Sequence, residues 1–180
     1  MLRSILYLIF LSLIFSCHNS VIEKNLKNVS KEDSVSNPEQ NLIVIADKFY
    51  ANKDYALALT YYDSLISKDS IKGVYYFKRA YCKTMINPDD PSAIADYLKS
   101  IELNYNKQQS AYLNIGAAHQ FKAIFRCTTD QDRIAQLDSA LHFYNQCLKI
   151  DPNNNKAIQS KEEVNNDLTL IRQGIWPSNK

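Results

Sequence analysis

Glycine and proline are scarce in this chain, 3 and 5 among 180 residues. So few backbone breakers argue against a turn-rich β-protein, and three glycines leave no phosphate-cradling loop. An excess of one charge is also missing. The formal net charge is +2, which gives no electrostatic reason to expect nucleic acid. His18, His119 and His142 show no metal-ligand spacing, and no His-Glu-x-x-His or Cys-x-x-Cys occurs. His142 and Cys147 are five apart, so on a helix they do not share a face as a catalytic pair would. The pairs Asp89-Asp90 and Glu162-Glu163 read as solvated surface. No catalytic residue, metal, cofactor or small-molecule substrate is expected. Aromatics, by contrast, are plentiful: 12 Tyr and 7 Phe at helix-like spacing favour an all-helical chain.

The N-terminus reads as a targeting signal. Met1-Leu2-Arg3 supplies a short positive end, and Ile5 to Phe15 is an apolar run broken only by Ser12. That run has the length of a signal core and is too short to span a bilayer comfortably. It ends in Ile14-Phe15-Ser16-Cys17, which resembles the bacterial lipobox, with Phe15 bulkier than the usual pattern. The resemblance implies a signal peptide over 1–16, cleavage before Cys17, a diacylglycerol on its sulfur and an acyl chain on its new amine. Two or more acyl chains anchor stably where one does not. An ordinary secretory signal with an incidental Cys17 is the alternative. His18, rather than Asp, follows the cysteine, so the outer membrane of the bacterial envelope is expected, with membrane contact through the lipid anchor only. Residues 17–38 are polar and read as a flexible tether of roughly 25 Å root-mean-square span. A short docking helix from Val21 to Val29 is the other reading.

From residue 39 onward one line of residues recurs. It first runs Leu42, Ile45, Ala46, Phe49, Tyr55, Ala58, Tyr62, Leu65. The second copy runs Tyr76, Arg79, Ala80, Lys83, Ala93, Asp96-Tyr97, Ser100, Ile101-Glu102-Leu103-Asn104. The third runs Tyr112, Ile115, Gly116, His119 and then Ala140, Tyr144, Cys147, Leu148, Ile150-Asp151-Pro152. These lines resemble the tetratricopeptide repeat. Its first helix (A) carries large, aliphatic, small and large residues, and its second (B) carries small, aromatic and small ones. The resemblance implies an all-α fold: a short α-hairpin solenoid of three repeats over 39–72, 73–107 and 109–154, with a capping helix at 155–173. The domain as a whole covers 39–174, followed by a tail at 175–180.

Small residues let the two helices of a hairpin approach closely, and Ala46/Ala58, Ala80/Ala93 and Gly116/Ala140 are the three packing pairs. Ala46 and Ala58 stand at the regular spacing. The second pair is one residue wider, an insertion that falls at Asn87-Pro88-Asp89-Asp90-Pro91, with Asp90 as N-cap and Pro91 in the first turn. The third pair is twelve residues wider. Phe121, Ile124 and Phe125 continue the apolar stripe, so helix 3A is expected to reach about Arg126, and the third hairpin to project beyond its neighbours. In the capping helix Ala157, Val164, Leu168 and Ile171 face inward. Gly174 ends it, and Ile175-Trp176 fold back as its hydrophobic contact.

Tetratricopeptide arrays bind peptides on the concave face, so the resemblance implies a groove and a protein or peptide partner. At the groove positions of helix A stand Ile43, Asp47 and Tyr50 in repeat 1, Phe77 and Tyr81 in repeat 2, and Leu113 and Phe121 in repeat 3. The chaperone-type carboxylate clamp needs Lys and Asn where Ile43 and Asp47 stand, so that mode is not expected. An apolar, aromatic surface suits a peptide with aliphatic anchors and aromatic contacts; the same residues could instead pack between helices. The expectation is an envelope-tethered adaptor or scaffold. The alternatives are a structural subunit of a secretion, pilus or outer-membrane-biogenesis assembly, using the convex face and the long third hairpin, or a periplasmic chaperone-like holder. Cys82, Cys127 and Cys147 fall too far apart along the repeats to bridge, since a disulfide needs Cα atoms within about 7 Å. Buried free thiols are expected.

Overall fold

The computed structural model describes residues 38–176. The signal segment 1–16, Cys17, the tether up to residue 37 and the residues after Trp176 lie outside them. The described residues form seven helices and no strand: α1 (Pro38–Ala51), α2 (Tyr55–Lys68), α3 (Gly73–Ile86), α4 (Pro91–Glu102), α5 (Gln108–Phe125), α6 (Asp130–Ile150) and α7 (Asn155–Arg172). This is the all-α repeat solenoid that the residue pattern implied.

The chain divides into two units at residue 45. Of the first, the described part is the opening turns of α1, in which Leu42 and Ile45 are buried. The second unit, from Ala46, holds the repeats. Within it each helix from α2 onward packs against its sequence neighbours, and α5 also packs against α7.

Local chemistry sets the helix starts. Asp90 Oδ1 accepts the backbone N–H of Ser92 at 2.8 Å, with Pro91 opening α4. Thr129 Oγ1 accepts from Asp132 N–H at 3.1 Å, and Asn154 Oδ1 accepts from Ala157 N–H at 3.1 Å. Each such cap contributes about 1 kcal/mol.

The small residues are buried among the packed helices. Ala46, Ala58, Ala80 and Ala140 are fully buried and Ala93 nearly so. Gly116 lies under the ring of Tyr144: a Cβ there would stand 2.5 Å from Tyr144 Cε1. Between repeats 2 and 3, Phe77, Ala80 and Tyr97 join Ala111 and Ile115 in one cluster.

The helices of the third hairpin are longer than those of the first two, at 18 and 21 residues, and its inner side is covered. Ala123 and Leu137, from the inserted stretch, pack with Leu168 and Ile171 of α7, and Ile134 and Trp176 close over them. Arg133 binds the carbonyl oxygens of Ala123 and Cys127 at 3.2 and 2.9 Å and lies over the Trp176 ring at 5.6 Å. The lengthened hairpin therefore gives the capping helix an apolar bed. The thiols depart in part from expectation. Cys82 and Cys147 are buried and unbridged, but Cys127 is only half-buried.

Candidate functional site

The helix-A residues singled out for the groove fall into four environments. Asp47, Tyr50 and Tyr81 come together near the junction of repeats 1 and 2. The Tyr50 and Tyr81 rings lie 5.5 Å apart, and Tyr55 joins them at 6.4 and 6.0 Å. All three are half-buried, so each presents ring surface to solvent. Edge-to-face contacts of this kind hold aromatic rings in defined positions. Beneath them Tyr62 is fully buried and its Oη donates to Asp47 Oδ1 at 2.7 Å. Lys78 Nζ donates to the same oxygen at 2.7 Å and stands 5.8 Å from the Tyr50 ring centre and 5.9 Å from that of Tyr62. Burial raises the phenol pKa of Tyr50. Burial, then the bond to Asp47, does the same for Tyr62. Both hydroxyls therefore stay protonated and neutral at physiological pH. Cys82, buried below, is pushed up to about 12 by desolvation and is unreactive as a thiolate.

Phe77 stands elsewhere. It is 7% exposed and packs against Tyr97 and Tyr105 with ring centres 5.5 and 5.3 Å away. It belongs to the core between repeats 2 and 3 and offers almost no surface to a partner. Ile43 is half-buried in the opening turns of α1.

In repeat 3 the surface changes character. Leu113 lines a cleft of about 360 Å³ together with Asn114 and Ala117 on α5 and Lys156, Gln159, Ser160 and Glu163 on α7. The α7 residues repeat the register of Ser110, Leu113, Asn114 and Ala117 at a constant offset, so the capping helix adds a fourth helix-A strip to the face. Sequence reasoning missed this strip, because the polarity of α7 was read only as closure of the solenoid. The constant register offset was the available signal. Glu163 accepts from Gln159 at 2.9 Å and from Gln120 at 3.5 Å, and Gln120 in turn accepts the Tyr144 hydroxyl at 2.6 Å. The Phe121 ring is tilted against that of Phe125 at 4.7 Å, with Arg126 above it at 5.8 Å. Arg126 is held by Asp89 at 2.9 Å.

Off this face, α6 and α7 enclose a second cleft of about 550 Å³ lined by His142, Asn145, Gln146, Leu148, Lys149 and Lys161. No group of three or more His, Cys, Asp or Glu among the described residues could hold a metal ion. No described helix is long and apolar enough to cross a membrane.

No family model and no curated protein sequence matches the chain. Solved structures do. The chain is similar to the first tetratricopeptide domain of Spaghetti (RPAP3) bound to the HSP90 peptide SRMEEVD, at TM-score 0.58 and 21% identity over 73% of this chain and 93% of that one. It is similar also to the Arabidopsis OM64 tetratricopeptide domain, at TM-score 0.57 and 18% identity over 71% of this chain and 94% of that one. At such identities the likeness establishes the fold, which is that of a tetratricopeptide-repeat domain.

Proposed function

We propose that this chain is a protein-interaction adaptor on the tetratricopeptide fold, holding a partner peptide or protein on its helix-A face and tethered to the bacterial envelope through Cys17. One observation carries the binding reading: Tyr50, Tyr55 and Tyr81 are clustered yet half-buried, with Asp47 beside them. Tyrosine gives large, rigid contact area at low entropic cost, which is why it concentrates at interfaces. A similar fold with a peptide bound, the RPAP3 domain, supports a peptide or protein partner here. Within the unit that begins at Ala46 the candidate contact residues are Asp47, Tyr50, Tyr81, Leu113 and Phe121. The lipobox-like Ile14-Phe15-Ser16-Cys17 supports the tether.

A second reading has its own observation. The 550 Å³ cleft between α6 and α7 and the exposed Phe125 favour an assembly subunit that docks away from the tyrosines.

Crosslinking in cells, with the wild-type chain and with Tyr50→Asp/Tyr81→Asp, separates the two. The double variant is expected to lose its specific crosslinked partner while keeping its helical signal. Retention of that partner by a folded double variant would sink the adaptor reading and leave the α6–α7 surface. Phe77→Asp is unsuitable, because a buried charge unfolds the core. In the same cells Cys17→Ser should move the chain out of the membrane fraction; unchanged fractionation would remove the lipid anchor.

A further inference from the structure

Two carboxylates of this domain are built alike, and one of them is only half filled. Asp96 is 5% exposed. Arg79 grips it with a fork, Nη2 to Oδ1 and Nε to Oδ2, and Lys83 Nζ adds a third bond to Oδ2 at 2.7 Å. The guanidinium of Arg79 meanwhile lies over the Tyr76 ring at 5.4 Å. A single carboxylate taking an arginine and a lysine together beside a tyrosine is thus an arrangement this chain already holds.

Asp47 has the lysine and the tyrosines but lacks the arginine. Lys78 Nζ and Tyr62 Oη both donate to Oδ1, and no described donor reaches Oδ2. The side chain of Asp47 is 43% exposed, against 24% for Lys78, so the carboxylate is the more accessible member of the pair. Next to it are the rings of Tyr50 and Tyr81. An open carboxylate oxygen beside tyrosine faces suits a planar cation, which can donate a charge-assisted bond from its rim and stack through its plane. A carboxylate of a partner would meet like charge at the same place.

Resting on the peptide-binding reading above, we propose that Asp47 is the specificity anchor for an arginine side chain of the bound peptide. The guanidinium binds Asp47 Oδ2 and lies against Tyr50 and Tyr81. Lys78 occupies Oδ1 and leaves Oδ2 to the guanidinium. The partner segment is therefore basic at this point. Its charge is opposite to that of a peptide that depends on carboxylates.

The test uses the full-length chain in detergent micelles and an immobilised positional-scanning peptide library. The wild type is expected to enrich arginine over glutamate about tenfold or more at one position. Asp47→Asn keeps an acceptor for Tyr62 but removes the charge, and should abolish that enrichment while preferences for apolar residues elsewhere persist. Lys78→Met frees Oδ1 and removes the competing cation, so arginine enrichment should be at least as strong as in the wild type. Circular dichroism melts establish that each variant is folded. Should Asp47→Asn fail to fold, the Lys78→Met result decides. Enrichment of acidic residues by the wild type, a basic preference that survives Asp47→Asn, or its disappearance in Lys78→Met overturns the anchor while leaving the groove intact. Enrichment of no peptide at all overturns the anchor and the groove together.

Discussion

Gly116 and Tyr144 show how closely single residues are matched in these repeats. The Tyr144 ring occupies the space that a Cβ on Gly116 would need, at 2.5 and 2.7 Å from two of its carbons. The ring cannot easily yield, because it is fully buried and its hydroxyl is bonded to Gln120 at 2.6 Å. In a helix, Gly→Ala ordinarily gains up to about 1 kcal/mol. Here overpacking outweighs that gain, and Gly116→Ala is expected to lose about 1–2 kcal/mol net in urea unfolding. A variant as stable as the wild type would show that the ring moves aside. Residue identity made this pair readable in the chain, since only a very small residue fits between crossing helices. Phe77 was not readable in the same way. Its helix-A register suits a groove wall, and its burial depends on Tyr105, which follows α4, and on Ala111 and Ile115, which come against it only once repeat 3 has stacked. The ion network had the same obstacle: Arg79 meets Asp63 at 2.8 Å and Asp96 as well, sixteen and seventeen residues away, through the packing of three helices.

Three helices end alike, with residues that differ in how well they fit. After α7, Gly174 has φ +68°, its N–H bonds to Ile171 O at 2.9 Å and that of Ile175 to Leu170 O at 3.0 Å. After α4, Asn104 at φ 54° does the same, with Tyr105 N–H bonded to Ser100 O at 3.0 Å. After α1 the left-handed position is held by Lys53 at φ 63°, with Asp54 N–H bonded to Phe49 O at 2.9 Å. This double bond pattern satisfies carbonyls that the helix leaves open, and it favours Gly, then Asn. A lysine there carries left-handed strain of about 1–2 kcal/mol. Replacing it with glycine removes the strain but adds freedom to the unfolded chain. Lys53→Gly should therefore stabilise by about 0.5–1 kcal/mol, with a smaller gain for Asn104→Gly. Urea midpoints check both, and a loss of stability at Lys53 would refute the account. These ends also mark the limits of sequence reading. Gly174 and Asp90-Pro91 announce a boundary by residue type, whereas Lys53 announces nothing. Its strain arises from the turn that α1 and α2 impose between them.

Across the whole domain, the pattern of small and large residues made the repeat architecture legible, while much of the surface was not. The α7 strip, Lys156, Gln159, Ser160 and Glu163, acquires meaning only when α7 is seen to stand in the helix-A register beside α5. Burial of protonated groups is a property of the assembled repeats too, and it has a consequence for stability. Cys82 in α3 is pushed from 9.0 to about 12 by desolvation. Tyr144 in α6 is pushed from 10.0 to about 12, chiefly by desolvation. Burial likewise raises Tyr50, Tyr62 and Tyr97. Below about pH 9 these groups hold their protons whether the chain is folded or not, so their contribution is fully present. Between about 9 and 12 the unfolded chain releases protons that the folded one keeps, and stability falls as pH rises. The buried phenols are therefore expected to ionise in a cooperative step that coincides with loss of the helical signal. A single smooth titration near pH 10 with full helicity would mean that water reaches these rings in the native state.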